Sequence, residues 1–376
     1  MYEYQNSRTI ESMEQLLFFA VLSLFLLAVS GFTALGAIVG FGTTLFVKRI
    51  IISVALGTPL FFILANVWFR YAPNIFSQGF YIITSYFGGM FLYWFFASIV
   101  ICGFFLLGQF FSIPLAKISL LVYLIASLVG VTGIIQAFFT RTVVYTLTAP
   151  AQYESLKGKR IALIADTHFG PVNQEMFARQ VVKEILATNP DAVLVAGDMF
   201  DGAGFDTAPL EKELKVLTEK VPVFFTPGNH EEYGPFSEFV ASATRAGMTV
   251  LVDEKAEIFG VPVLGLNYRG KKDNEEVTRL FKEKGITSAN PAIVINHEPS
   301  FQAVMQNAGV FLNVSGHTHG GQLWPGKHIA QRVYGKYWYG LVTEGKYQSV
   351  TTNGIGTFGP RMRTFNRGEV VVIEFR

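Results

Sequence analysis

Residues 16–47 run for 32 positions, and residues 71–116 for 46, without one Asp, Glu, Lys or Arg. Such stretches leave little choice of structure. Roughly 20 apolar residues cross a bilayer core, and in lipid a helix satisfies its own backbone hydrogen bonds within one segment. The pattern predicts four spanning helices, near 16–38, 50–69, 82–108 and 118–139. The polar turn "RYAPNIFSQG", with Pro73 and Gly79, separates the second from the third. A secretory signal fits poorly: its apolar core is about 7–15 residues behind a basic leader, whereas this run is longer and comes after three glutamates. No Asp, Glu or His falls in any of the four segments, so the bundle reads as an anchor rather than a transporter. The small residues of "SGFTALGAIVGFG" suit close helix packing.

Charge divides the chain the same way. Residues 1–150 hold three acidic side chains and six basic ones, and residues 151–376 hold 25 and 24, with all six histidines. With four crossings both termini share a side. Placing that side in the cytoplasm sets Arg8, Arg70, Arg141, Lys157, Lys159 and Arg160 inside, against Lys48, Arg49 and Lys117 outside. The positive-inside bias therefore predicts a multi-pass membrane protein with a cytoplasmic C-terminal domain. A single cysteine, Cys102, excludes an intrachain disulfide.

Five runs of strand length punctuate the second half: IALIA (161–165), AVLVA (192–196), VPVFF (221–225), AIVI (292–295) and VFLNV (310–314). Amphipathic helical stretches near 174–188, 209–219 and 235–246 come after the first three, which predicts an α/β domain. Further strands near 248–266, 349–353 and 369–375 extend the sheet or form a second one. The residues immediately after the five runs carry the chemistry: "DTHFG", "GDMFD", "TPGNHEE", "NHEP" and "SGHTHGG". Ligands bind at the carboxyl ends of strands in α/β sheets. Five such ends bring Asp166, His168, Asp198, Asn229, His230, His297, His317 and His319, a set of oxygen and imidazole donors without a thiolate. That set suits Mn²⁺, Fe or Zn²⁺.

In this order, D-x-H, G-D-x-x-D, G-N-H-[DE], a lone histidine and G-H-x-H, the motifs resemble the calcineurin-like metallophosphoesterase family. The resemblance implies a four-layer α/β/β/α sandwich over 159–376, behind a transmembrane region (1–145) and a linker (146–158). "GHTHGGQLWP" and "TTNGIGTFGPRMR" are similar to a membrane-linked branch. That branch includes transmembrane proteins with a metallophosphoesterase domain and enzymes that cleave UDP-diacylglucosamine pyrophosphate in lipid A synthesis. Carried over by motif, Asp166, His168, Asp198 and His319 hold one divalent ion, and Asp198, Asn229, His297 and His317 the other. Asp198 bridges them, because two close cations need a shared anion. The same resemblance makes the chain a metal-dependent phosphoesterase or pyrophosphatase, attacking a phosphoester or pyrophosphate in line. His230, one residue beyond a ligand, is assigned to the phosphoryl oxygens and the leaving group.

Other roles are less constrained. Glu231 either orients His230 or has a helix-capping or surface role, and Asp201 either supports a ligand or has a helix-capping or surface role. Gln322, Arg361 and Arg363 are candidate substrate contacts, with structural hydrogen bonds or solvated charge as the alternative. His317 and His319, two apart on an extended stretch, point the same way with Thr318 turned aside, and Gly316, Gly320 and Gly321 clear space for ions and phosphate. Trp324, Tyr334, Tyr337, Trp338 and Tyr339 suit a membrane interface and a lipid-linked phosphate, or aromatic packing over the sheet edge. "GIGTFG" (354–359) has too few residues after it for a dinucleotide site. The soluble part has no electrostatic footprint for nucleic acid. The competing class is a non-enzymatic membrane sensor or scaffold on the same fold, which would be free to lose the metal positions found intact here.

Overall fold

The structure, a computed structural model, describes residues 26–201, 205–268 and 272–376. It divides into two units, residues 1–132 and 133–376. In the first, α1 (Leu26–Phe41) is a short apolar helix. It is succeeded by α2 (Leu45–Tyr71), α3 (Ile75–Leu107) and α4 (Leu115–Gln136), which runs on into the second unit. Among the described residues, three helices, not four, are long and apolar enough to cross a membrane. The first expected span begins at residue 16, outside the described residues, and its described part is α1. Each crossing changes sides, so the orientation expected above holds only for the four-helix count.

Side chains explain how these helices start and pack. Asn74 accepts from the backbone of Phe76 and Ser77 while Ser77 Oγ accepts from Asn74 N, a capping box that starts α3 directly after the turn. The glycines in α1 permit close approach: a Cβ on Gly36 would lie 2.7 Å from Ser98 Cα, and one on Gly40 would lie 2.4 Å from Ser119 Oγ. Polar bonds tie α3 to α4, Ser98 to Tyr123 at 2.8 Å and Trp94 Nε1 to Ser127 Oγ at 3.0 Å.

The second unit opens with β1 (Thr140–Leu147), three residues after α4. Next come β2 (Arg160–Ile164), α5 (Glu175–Ala187), β3 (Ala192–Ala196), α6 (Ala208–Thr218), β4 (Val223–Thr226), α7 (Asn229–Tyr233), α8 (Phe236–Arg245) and β5 (Thr249–Val250). After these lie β6 (Lys255–Ile258), β7 (Val261–Leu266), α9 (Asn274–Glu283), β8 (Ile293–Asn296), α10 (Gln302–Ala308) and β9 (Leu312–Ser315). The chain ends with α11 (Gly326–Tyr334), β10 (Gly340–Glu344), β11 (Tyr347–Thr351) and β12 (Gly368–Phe375). The strands form two six-stranded sheets, β1-β12-β2-β3-β4-β5 and β10-β11-β9-β8-β7-β6.

Alternation along each strand assigns the layers. Ile161, Leu163, Leu194, Val371 and Ile373 of the first sheet share one core with Val261, Val263, Ile293, Ile295, Leu312 and Val314 of the second. The alternate residues Ala162, Ile164, Val193 and Val195 pack on α5, α6 and α8. Leu264, Leu266 and Val294 pack with Val277 and Phe281 of α9 and Met305 of α10. Two sheets face to face with helices outside each is the four-layer arrangement expected. The expected boundary at 145 falls inside β1, which pairs in parallel with β12 from Thr140↔Gly368 to Leu147↔Phe375. The segment read as membrane and linker therefore supplies an edge strand, because Thr140–Leu147 has the β-branched alternation of a half-exposed strand.

Candidate metal centre

Strands β2, β3 and β4 are parallel neighbours in one sheet, and β7, β8 and β9 in the other. Their carboxyl ends deliver every expected ligand to one place. Asp166 and His168 leave β2, Asp198 leaves β3, Asn229 begins α7 after β4, His297 comes directly after β8, and His317 and His319 after β9. Five of the seven have left-handed backbone: Asp166 (φ 55°), His168 (45°), Asp198 (51°), His317 (68°) and His319 (50°). Each such residue costs about 1–3 kcal/mol, and cross-loop bonds compensate. Asp166 N donates to Gly197 O at 3.0 Å, His168 N to Asp198 O at 3.1 Å, and Gly316 N to His297 O at 2.9 Å.

This geometry corrects one expectation. His317 and His319 do not alternate on an extended strand, since β9 ends at Ser315 and both backbones are left-handed. They nonetheless diverge to separate groups. His317 Nδ1 lies 3.0 Å from Asn229 Oδ1 and 3.1 Å from His297 Nε2. His319 Nε2 lies 3.1 Å from His168 Nε2 and 3.5 Å from Asp166 Oδ1. Thr318 turns away and donates to Trp338 O. Asp198 Oδ2 stands between the groups, 3.0 Å from His297 Nε2 and 3.9 Å from His168 Nε2.

The donor chemistry fits divalent cations. His297 Nδ1 donates to Ala196 O at 2.8 Å, which turns Nε2 to the centre; without a metal the Asp198 carboxylate favours a proton there, and the neutral ring presents a lone pair instead. That lone pair faces Asn229 Oδ1 at 3.1 Å and the Asp198 carboxylate. Buried lone pairs aimed at one another repel unless a cation lies among them, and carboxylate, amide oxygen and imidazole suit borderline divalent ions. Three overlapping groups have donor atoms close enough to share an ion: Asp166, His168 and His319; His168, Asp198 and His230; and Asp198, His297 and His317. Burial pushes the Asp166 carboxyl up to about 6 against the pull of the neighbouring imidazoles. Burial and then the His297 charge push His317 down to about 3.

Supporting residues separate into those anticipated and those reassigned. Asp201 Oδ1 is 3.3 Å from His168 Nδ1, on the side opposite the ring nitrogen that faces the centre. Glu231 does not orient His230. It is fully buried and accepts from three backbone groups, Asp198 N at 3.0 Å, Phe200 N at 2.7 Å and Gly228 N at 2.6 Å, so it caps α7 and ties the β3 and β4 loops together. The glycines of the last motif serve protein packing rather than ligand clearance. A Cβ on Gly320 would meet Asn353, and one on Gly316 would meet Ala165 and Asp166.

None of the three candidate substrate contacts has a free head group at the centre. Gln322 both donates to Phe358 O and accepts from Phe358 N, each at 2.9 Å. Arg361 is stacked between Phe138 and Phe177, 4.3 and 4.7 Å from their centroids. Arg363 is fully buried, and its guanidinium donates to the carbonyls of His319, Asn353, Gly354 and Gly356. Bent loops leave unpaired carbonyls, and a buried arginine supplies the donors. Sequence reasoning missed the aromatic rings beside the site. Phe358 lies 4.8 Å from the His230 ring, Tyr233 5.5 Å from it, Tyr334 6.0 Å from His317 and Tyr268 6.4 Å from His317. Tyr233 and Tyr268 stand outside the motifs, whereas Phe358 lies within "TTNGIGTFGPRMR" and Tyr334 within the aromatic segment read as a membrane interface, where nothing placed them beside the histidines.

Residues 159–321 match the family described as calcineurin-like phosphoesterase. An uncharacterized metallophosphoesterase of Campylobacter jejuni is 24% identical over 226 residues, covering 58% of this chain and 60% of that protein. A transmembrane protein with metallophosphoesterase domain from Danio rerio is 27% identical over 276 residues, 68% of this chain and 62% of its own. The phosphodiesterase YaeI of Escherichia coli is 28% identical over 225 residues, 57% and 81% respectively. The first two matches thus span about three fifths of those relatives' length. Motif order, two packed sheets and donor residues gathered from five strand ends agree with that match: the second unit carries a calcineurin-like phosphoesterase domain over residues 159–321.

Proposed function

We propose that the chain is a membrane-anchored, dinuclear metal-dependent phosphohydrolase. The observation that carries the reading is the Asp198 carboxylate standing between two clusters of donors, within 3.0 Å of one and 3.9 Å of the other. Asp166, His168, Asp198 and His319 would hold one divalent ion, and Asp198, Asn229, His297 and His317 the second. Such a pair supplies positive charge to the phosphoryl oxygens and lowers the pKa of water for in-line attack. The chain's own residues do the rest. Ala196 O fixes the His297 tautomer, Asp201 faces the outer nitrogen of His168, and Glu231 fixes the spacing of the Asp198 and Asn229 loops.

His230 is not needed as a ligand in either set. Its backbone N donates to Asp198 Oδ1 at 2.8 Å, which turns the ring against His168 and Phe358. Its side chain keeps 13% of its exposure, so an imidazole N–H can meet the phosphoryl or leaving-group oxygen. The three long apolar helices support membrane anchoring. Lipid-linked phosphoesters and pyrophosphates, UDP-diacylglucosamine among them, are the substrates we place first; a cytoplasmic C-terminal domain requires the 16–38 segment to cross as a fourth span. The test is hydrolysis of bis(p-nitrophenyl) phosphate by the purified full chain with Mn²⁺, Fe or Zn²⁺. Activity lost on His230→Ala and Asp198→Ala supports the reading; no hydrolysis with any metal supports a scaffold instead.

A further inference from the structure

The tyrosine hydroxyls of the aromatic segment are engaged with the protein. Tyr334 OH donates to Glu298, Tyr337 OH to Glu344 and Tyr339 OH to Glu369, while Trp338 O accepts from Thr318. These groups are committed to the protein. Other apolar side chains at the same end of the domain are left in solvent: Ile329 and Val333 at 64% exposure, Phe365 at 74%, Phe358 at 53% and Trp324 at 42%. Ile329 and Val333 are four apart on α11 and therefore share a face.

Hydrogen bonds lace together the loops that carry Trp324, Phe358 and Phe365, and α11 begins two residues after Trp324. Trp324 N donates to Thr364 Oγ1 at 2.8 Å, Thr364 N to Gln322 O at 2.9 Å, and Gln322 holds Phe358 in both directions. The surface borders the metal centre at two points, through Phe358 beside His230 and through Tyr334, the last residue of α11, beside His317.

Charge selects the partner. From 299 to 368 the chain has seven Lys and Arg residues and one acid, Glu344, although residues 151–376 together hold 24 basic and 25 acidic ones. Lys327, Arg332 and Arg367 of that stretch are exposed. Exposed aliphatic and aromatic side chains flanked by cations, with the neighbouring carboxylates of Glu298, Glu344 and Glu369 hydrogen-bonded to tyrosines, match an anionic lipid surface, which takes apolar groups at the acyl boundary and cations at the headgroups.

We propose that the exposed face of α11, with Trp324, Phe358 and Phe365, docks on an anionic bilayer, so that the metal centre opens at the headgroup level. The proposal rests on the membrane-anchored reading and not on the hydrolytic one. A catalytically inert chain would still dock.

The experiment uses the full chain with Cys102→Ala and single cysteines at Ile329, Val333 or Phe365, and at Val216 or Arg279 as controls on α6 and α9. Each is labelled with an environment-sensitive dye and reconstituted in phosphatidylcholine–phosphatidylglycerol vesicles. Labels at 329, 333 and 365 are expected to emit further to the blue than the controls and to be quenched by doxyl lipids, with the shift reduced at high salt. Melting curves matching the parent show that the labelled chains are folded. Emission and iodide quenching equal to the controls overturns the proposal. A shift that disappears in nanodiscs holding one chain assigns the face to a second copy, and one that needs added oligonucleotide assigns it to nucleic acid; either also overturns it. A chain that does not float with vesicles contradicts the anchored reading along with this one.

Discussion

Replacing Glu231 with glutamine removes one acceptor from a site that uses both. Oε2 accepts from Gly228 N and Asp198 N, and Oε1 from Phe200 N, with no part of the side chain in solvent. A glutamine oxygen that serves Gly228 and Asp198 turns its NH₂ onto the Phe200 N–H, two donors face to face without water. A buried unsatisfied donor costs about 1–3 kcal/mol, and two bonds that lose a charged acceptor give up about 1 kcal/mol each. The expected loss is about 3–5 kcal/mol. At about 2–4 °C per kcal/mol for a unit of this size, the melting transition falls by about 6–20 °C. Because the same carboxylate spaces the Asp198 and Asn229 loops, metal affinity falls with it. Scanning calorimetry and Mn²⁺ titration of the full chain in detergent measure both. A Glu231→Gln chain that melts within about 2 °C of the parent and binds Mn²⁺ equally would refute the reasoning.

Four further outcomes are expected. Asp201→Ala leaves His168 Nδ1 without its carboxylate at 3.3 Å, and hydrolysis falls about 10–100-fold with the fold retained; an unchanged rate removes Asp201 from that role. Gln322→Leu frees Phe358 beside His230, so steady-state kinetics should show KM rising more than kcat falls, and identical constants would contradict this. The hydrogen bond from Arg245 holds Glu211 down at about 2. A depressed carboxyl stabilises the fold above its ordinary pKa and loses that contribution as pH falls, so Glu211→Gln should melt below the parent at pH 7, with the gap closing between about pH 4 and pH 2. Gly36→Val drives a side chain into Ser98 of α3 and should cost about 1–3 kcal/mol, lowering the thermal stability of the helical unit without altering hydrolysis per folded chain; unchanged stability would deny the close approach.

Much of the second unit is legible in the sequence because its strands are short apolar runs that end in polar tips. The alternation of Ile161 and Leu163 against Ala162 and Ile164 already encodes burial on two faces. Thr140–Leu147 escapes notice because only three residues separate it from a spanning helix, where apolar character reads as more membrane. At the site, residue type and position at strand ends point to the ligands, yet nothing in "GHTHGG" announces left-handed backbone at His317 and His319. Arg363 and Gln322 mislead for a common reason. Polar side chains near a motif look available for substrate until the loops' own carbonyls and amides are counted, and here those groups take them. Glu231 is half legible, since its spacing from Gly228 is that of a capping box, but its bonds to the β3 loop depend on tertiary structure.

The central claim is that strand ends from two sheets build one centre for two divalent ions bridged by Asp198. Elemental analysis of active, dialysed full chain tests it most directly. The account predicts two divalent ions per chain, and loss of both bound metal and hydrolysis in Asp198→Ala. Full phosphoesterase activity in a chain that retains no metal would contradict it.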